Sequence, residues 1–137
     1  MKPPVLDTHI WVWWMLGDSR LKASELRKLD AFPRSQRPVL SEISLWEVAT
    51  LVDLGRLTLN ESLDRWLRIA SAPAAVTLQH LSPETMSAMN RLPKEFHRDP
   101  ADRIIVATAN FLGLPLATRD QKIIDAKVVE IWSPDRH

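Results

Sequence analysis

Four acidic residues, far apart in the sequence, carry the strongest chemical signal in the chain: Asp7, Glu47, Asp102 and Asp120. If their carboxylates meet in the fold, they repel one another, and each raises the pKa of the others. A hard divalent cation with oxygen ligands removes that repulsion, and Mg²⁺ does so while keeping several water molecules. A metal held in this way can activate water and stabilise charge that grows on a phosphate. The chain has no cysteine and only four histidines, which favours Mg²⁺ or Mn²⁺ over zinc.

The elements that carry these acids are predicted to alternate between strands and helices. Short apolar or β-rich runs predict strands at residues 5–6, 39–40, 76–78, 116–118 and 128–131. Ser82-Pro83 and Asp99-Pro100 each place a capping side chain before a proline and predict helix starts, so Asp99 is left out of the metal ligands. Gly55 and Gly113 predict helix ends. This alternation predicts an α/β fold with a parallel sheet covered on both faces.

The positions of the acids relative to these elements predict that they share one edge of the sheet. Asp7 directly follows the first predicted strand, and Asp120 comes two residues after the run 116–118. Glu47 and Asp102 lie early in predicted helices, which begin at the same edge. Ligand sites of open parallel sheets lie at the carboxyl ends of the strands. The sequence therefore predicts a four-carboxylate site there.

Most of the four acids also have a purely structural explanation. Glu47 lies three residues after Ser44, which is the spacing of a capping box. Asp102 lies near a helix start, where any acid is stabilised by the helix dipole. Asp120 fits a turn residue. Asp7 lies between an apolar strand and an apolar helix, and the packing of neither element explains an acid at this position.

The composition restricts the class of protein. The chain has 137 residues, 45% of them hydrophobic and 26% charged, which predicts a single folded domain over 1–137. The absence of cysteine excludes disulfides, thiolate catalysis and cysteine-ligated zinc. The net charge of +1 means that any nucleic-acid binding must come from a local patch. The apolar run 10–16 is too short to span a bilayer, so we expect a cytoplasmic protein that does not bind membranes.

Four stretches of the chain resemble PIN-domain ribonucleases, and in particular the VapC-type toxins of bacterial toxin–antitoxin pairs. These stretches are VLDTH at 5–9, SEISLWEVA at 41–49, DPADRIIVATA at 99–109 and LATRD at 116–120. They span almost the whole chain in the expected order and separation. No single stretch is decisive, but the ordered set is specific.

The resemblance implies a single three-layer α/β/α PIN-like domain and an endoribonuclease that depends on Mg²⁺ or Mn²⁺. It implies that Asp7, Glu47 and Asp102 bind metal, with Asp120 as a fourth acid that acts directly or through water. Metal-activated water would attack an RNA phosphodiester and leave 5′-phosphate and 3′-hydroxyl ends, with one or two metals. It also implies that a cognate antitoxin neutralises the protein.

Residues beside the acids are candidates for binding the RNA substrate. Thr118 matches a position where the family often keeps a hydroxyl group near the site. Arg103 and Arg119 adjoin two of the acids and could hold RNA phosphates, as could His97-Arg98, or they could pair with acids instead. The helix predicted from the apolar run 10–16 holds three tryptophans, and exposed members would suit a homodimer contact or a groove for an antitoxin helix.

Two other functions fit the same acids. One is a domain that keeps the fold and binds RNA without cutting it. The other is an α/β switch domain with an acidic magnesium pocket, although such a domain would have two neighbouring acids after its first strand. In this chain Asp7 is followed by Thr8-His9.

Overall fold

A computed structural model describes residues 1–96 and 98–134, so that His97 and its predicted role lie outside the described residues. The strands are Val5–Leu6 (β1), Val39–Ser41 (β2), Thr77–Gln79 (β3) and Leu116–Ala117 (β4). The helices are Thr8–Leu16 (α1), Ala23–Ala31 (α2), Ile43–Asp53 (α3), Leu63–Ala70 (α4), Pro83–Asn90 (α5), Pro100–Leu112 (α6) and Gln121–Ala126 (α7). A short 3-10 helix, Arg34–Gln36, precedes β2.

The four strands form one parallel sheet in the order β3-β2-β1-β4. Val5 of β1 lies opposite Val39 on one side and Leu116 on the other. The strands are short, and the central pair is buried on both faces, as expected for a parallel sheet covered by helices. All carboxyl ends of the strands therefore meet at one edge.

Successive residues of each strand point to opposite faces, and this alternation builds two separate cores. Leu6, Leu40 and Ala117 pack into a cluster with side chains of α1, α2, α3 and α4. The residues just before them in β1, β2 and β4 pack into a second cluster with α5, α6 and α7. Helices thus cover both faces of the sheet, and the predicted three-layer α/β/α architecture is confirmed.

The apolar helix α1 lies mainly inside the first core. Trp11 is fully buried, its ring lies 4.9 Å from that of Trp66, and its indole N–H donates to the Ala70 carbonyl at 2.9 Å. Trp14 is also buried, and its indole N–H donates to Asp30. The idea that exposed tryptophans of α1 form a partner surface therefore fails for Trp11 and Trp14. They are core residues.

The predicted elements differ from the observed ones mainly near the C-terminus. The run 128–131 was predicted as a strand, but only Ile131 pairs with the sheet, through an isolated bridge to Leu116. Residues 128 and 129 form a bend and residue 130 has no regular structure, so that prediction is wrong. The predicted helix starts at Ser82-Pro83 and Asp99-Pro100 are confirmed. In the residues described, we find no helix with the length and apolar character needed to cross a bilayer.

Candidate active site

The four acids predicted from the sequence lie together at the carboxyl edge of the sheet. Asp7 follows β1 directly, and its backbone N–H donates to the Ala117 carbonyl of the neighbouring strand β4 at 2.9 Å. Glu47 lies in the second turn of α3, which follows β2, and Asp102 lies in the first turn of α6. Asp120 follows β4 at the start of α7. The parallel topology therefore brings side chains from four segments to one edge.

Asp7 is the most deeply placed of the four acids. Only 6% of its surface is exposed, and burial raises the pKa of its carboxyl group. Two donors oppose that effect, because Thr118 Oγ1 donates to Oδ2 at 2.6 Å and the Thr8 backbone N–H donates to Oδ1 at 2.8 Å. Each carboxylate oxygen is thereby held in a defined direction. An ionised Asp7 is the form that these two donors stabilise.

Glu47 is oriented by hydroxyl groups, and the predicted alternative of a capping box is wrong. The N-cap of α3 is Glu42, so Ser44 lies inside the helix and does not cap it. Thr8 Oγ1 donates to Glu47 Oε1 and lies 2.8 Å from Ser44 Oγ. Since Thr8 has a single hydroxyl proton, Ser44 must donate to Thr8 when Thr8 donates to Glu47. Burial raises the pKa of Glu47, and the Asp7 carboxylate adds to that rise.

Asp102 experiences the combined charge of the cluster. Burial, followed by repulsion from Asp7, raises its pKa to about 8, and Asp99, Glu47 and Asp120 contribute further. Its backbone N–H donates to Asp99 Oδ1 at 3.1 Å, which confirms Asp99 as the N-cap of α6. Asp99 therefore caps the start of α6, and its charge also adds to the raised pKa of Asp102 and of Glu47.

Asp120 has both a local role and a place in the cluster. It is the N-cap of α7, and its Oδ1 accepts the Lys122 backbone N–H at 2.9 Å. Its charge raises the pKa of Asp7 and of Asp102. The predicted turn role is therefore real, and it does not separate Asp120 from the other acids.

The donor set of this cluster suits a hard divalent cation. Asp7, Glu47 and Asp102 each have a raised pKa, so the ionised form of each would gain from an added positive charge. Within residues 1–96 and 98–134, no group of three or more acidic or histidine side chains is arranged to hold one ion together. Mg²⁺ does not require such a cage, because proteins usually hold it through one or two carboxylates and leave water on the remaining positions. Among the neighbouring charges, the Asp7 carboxylate contributes most to the raised pKa of Asp102.

The three predicted substrate-binding residues have partners within the protein. Thr118 binds Asp7, as described above. Arg103 donates to the backbone carbonyls of Met89, Pro93 and Phe96, and so fastens the segment between α5 and α6. Arg119 forms a two-pronged ion pair with Glu25. Contact between either arginine and RNA phosphate stays a prediction.

Sequence reasoning missed three residues of this region: Thr8, Ser44 and Glu25. Thr8 directly follows Asp7, which is the one signal in the sequence, whereas the full burial that makes its hydroxyl need a partner is seen only in the structure. Ser44 precedes Glu47 by three positions and so shares a helix face with it, but the same spacing also fits a capping box. Glu25 carries no local signal, since its partner Arg119 is 94 positions away in the sequence.

Comparison with known proteins agrees with this arrangement. The model of the PIN domain family matches residues 5–129, which is most of the chain. A curated relative, Ribonuclease VapC22 of Mycobacterium tuberculosis (strain ATCC 25618 / H37Rv), is 28% identical over 123 residues, covering 90% of this chain and 91% of the relative. The family match includes the segments that carry all four acids. The chain therefore belongs to the PIN-domain family, and the resemblance to VapC-type ribonucleases is confirmed.

Proposed function

We propose that this chain is an endoribonuclease toxin that hydrolyses RNA phosphodiesters with the help of Mg²⁺ or Mn²⁺. The observation that carries the proposal is the cluster of carboxylates at the sheet edge, where burial first and repulsion from Asp7 second raise the pKa of Asp102 to about 8. Such repulsion lowers stability and is retained when a site needs negative charge for its function. The similarity to a VapC ribonuclease supports RNA as the substrate.

Each acid has a proposed role that follows from its surroundings. Asp7 and Asp102 hold the metal, and Glu47, oriented by Thr8, completes the negative site. Asp120 lies beside them at the start of α7 and acts directly or through water. When bound, the cation would polarise the phosphate and lower the pKa of a bound water. Thr118 donates to Asp7, which favours the ionised form of Asp7 and fixes its orientation.

The proposed partners are an RNA, a cognate antitoxin and a second copy of the chain, and the proposed location is the cytoplasm. The similarity to Ribonuclease VapC22 supports the RNA, and the resemblance to VapC-type toxins implies the antitoxin. Trp11 and Trp14 of α1 are not available for these contacts, since they are core residues, whereas Trp13 is only partly buried. Co-expression with the product of the neighbouring reading frame, followed by size-exclusion chromatography, would test both protein partners.

The test of the activity is cleavage of end-labelled RNA by purified protein in Mg²⁺, in Mn²⁺ and in EDTA. We expect cleavage to require the cation, to leave 5′-phosphate and 3′-hydroxyl ends, and to be lost in Asp7→Asn. Asp53→Asn is the matched control, because Asp53 is an exposed acid at the far end of α3. Cleavage that survives EDTA or Asp7→Asn would show the proposal to be wrong. RNA binding without cleavage by the wild-type protein would instead favour the silent RNA-binding domain.

A further inference from the structure

Arg119 lies between two residues of the candidate site and is held by a distant acid. Its Nη1 donates to Glu25 Oε2 at 2.8 Å and its Nη2 donates to Oε1 at 2.5 Å. Nη2 also donates to the Arg20 carbonyl at 3.3 Å. A planar guanidinium that meets both oxygens of one carboxylate forms the strongest and most directional type of protein ion pair. The pair joins the segment after β4 to the start of α2.

Glu25 is a rigid anchor for this contact. Its side chain is only 8% exposed, and the Lys22 backbone N–H donates to Oε1 at 2.9 Å. The Arg119 guanidinium holds the pKa of Glu25 below its ordinary value. Helix α2 is itself fastened to the first core by Leu29, which is fully buried. Surface ion pairs contribute little, but a pair with one partner this buried leaves a stranded charge when it is broken.

Arg119 is flanked in the sequence by Thr118 and Asp120, which both belong to the candidate site. Thr118 Oγ1 donates to Asp7 Oδ2 at 2.6 Å and accepts the Asp120 backbone N–H at 3.0 Å. A movement of the Arg119 backbone would therefore displace both the hydroxyl that orients Asp7 and the carboxyl group of Asp120. Short hydrogen bonds of this kind tolerate little displacement.

We infer that Glu25 is a positioning residue, which acts through Arg119 to fix residues 118–120 and thereby the orientation of Asp7 and the place of Asp120. The inference rests on the proposed function for its catalytic consequence. Glu25 itself touches neither substrate nor metal in this scheme. Arg119 on this view serves the site through its contact with Glu25, in contrast to the phosphate contact predicted for it from the sequence.

The test compares Glu25→Gln with the wild-type protein by three measurements. Amide hydrogen exchange of Asp120 and Lys122 reports the order of the segment and needs no catalysis. RNA affinity in EDTA reports substrate contact without cleavage, and steady-state kinetics in Mg²⁺ separates kcat from KM. Asp64→Asn is the matched control, because it breaks an exposed Asp64–Arg68 pair of 3.0 Å on α4, away from the site.

We expect Glu25→Gln to raise amide exchange at Asp120 and Lys122 about 10-fold, since breaking the pair loosens a local segment. We expect kcat to fall roughly 10-fold, with KM and the RNA affinity within about twofold of wild type, because misplacement affects orientation and not binding. Arg119→Lys keeps the charge but loses the two-pronged geometry, and it should change the same quantities in the same direction. The Glu25→Gln/Arg119→Lys double variant should be no worse than either single variant, because the two residues act as one unit.

Two results would overturn the inference. One is unchanged exchange at Asp120 and Lys122 in both single variants, which would show that the pair does not order the segment. The other is weaker RNA binding in Arg119→Lys together with tighter binding in Glu25→Gln, which would show that Arg119 is a phosphate ligand restrained by Glu25. If wild-type protein does not cleave RNA, the proposed function fails, but the exchange measurement still decides the role of Glu25.

Discussion

Replacing Asp102 with asparagine should make the metal-free protein more stable while it removes activity. The asparagine side chain keeps the shape of aspartate and lacks its charge. In the folded protein the pKa of Asp102 is raised from 3.8 to about 8, by burial first and by the Asp7 carboxylate second. Between these two values the folded protein binds this proton and the unfolded chain does not. The contribution of Asp102 to stability is therefore fully present below the lower pKa and is lost as the pH rises through the higher one.

The size of the effect follows from two opposing contributions. A pKa displacement of about four units would correspond to about 5 kcal/mol without screening. Water reaches part of the Asp102 side chain, which is only partly buried, so we expect about 2 kcal/mol. In the opposite direction, the dipole of α6 favours an ionised acid in its first turn by about 0.5 kcal/mol. Repulsion and burial are the larger contribution, so the neutral variant is expected to be the more stable one.

Urea unfolding in EDTA, followed by tryptophan fluorescence, measures this difference. We expect Asp102→Asn to exceed wild type by about 2 kcal/mol at pH values above the folded pKa of Asp102, and the gap to shrink steadily as the pH falls towards its ordinary value. Addition of Mg²⁺ should stabilise the wild-type protein through binding and have much less effect on the variant. RNA cleavage by the variant should be lost.

Asp53→Asn serves as the control, because it removes an exposed acid from α3 and leaves the cluster intact. It should reproduce the wild-type dependence of stability on pH. If Asp102→Asn is less stable than wild type in EDTA at high pH, the repulsion argument is refuted. The same holds if both proteins lose stability equally as the pH rises.

Two further substitutions test the site and the core separately. Thr118→Val removes the hydroxyl group that lowers the pKa of Asp7, so we expect the pKa of Asp7 to rise further. The acid limb of the plot of kcat against pH should then move to higher pH, and kcat should fall about 10-fold. An acid limb at the wild-type pH would contradict this role of Thr118. Trp11→Phe removes the indole N–H that donates to the Ala70 carbonyl and part of the contact with Trp66. The free energy of unfolding should therefore fall by about 2 kcal/mol, and the metal dependence of cleavage should not change. A loss below about 0.5 kcal/mol in urea unfolding would show that this bond contributes little.

The alternation of strands and helices could be predicted from the sequence because the start and end of each element depend on residues close to it in the chain. A proline after a capping residue, as at Ser82 and Asp99, favours a helix start through local geometry. A parallel sheet then places the carboxyl ends of its strands at one edge, whatever the order of the strands. That rule alone was sufficient to place Asp7 and Asp120 near each other. The run 128–131 shows the limit, because strand-forming residues form a strand only where a sheet edge accepts them over several residues.

The partners of the polar side chains were decided only by the tertiary structure. Arg103 and Arg119 look alike in the sequence, each beside an acid of the cluster, yet one binds backbone carbonyls and the other binds Glu25. The spacing of Ser44 fits a helix cap, but the N-cap of α3 is Glu42, two residues earlier. The Ser44 hydroxyl group therefore lies inside the helix and contacts the Thr8 hydroxyl group. Such contacts join segments that are tens of residues apart, and no local preference encodes them. The sequence by itself therefore determined which acids meet at the sheet edge, and the packing of helices around that edge decided which side chains hold them in place.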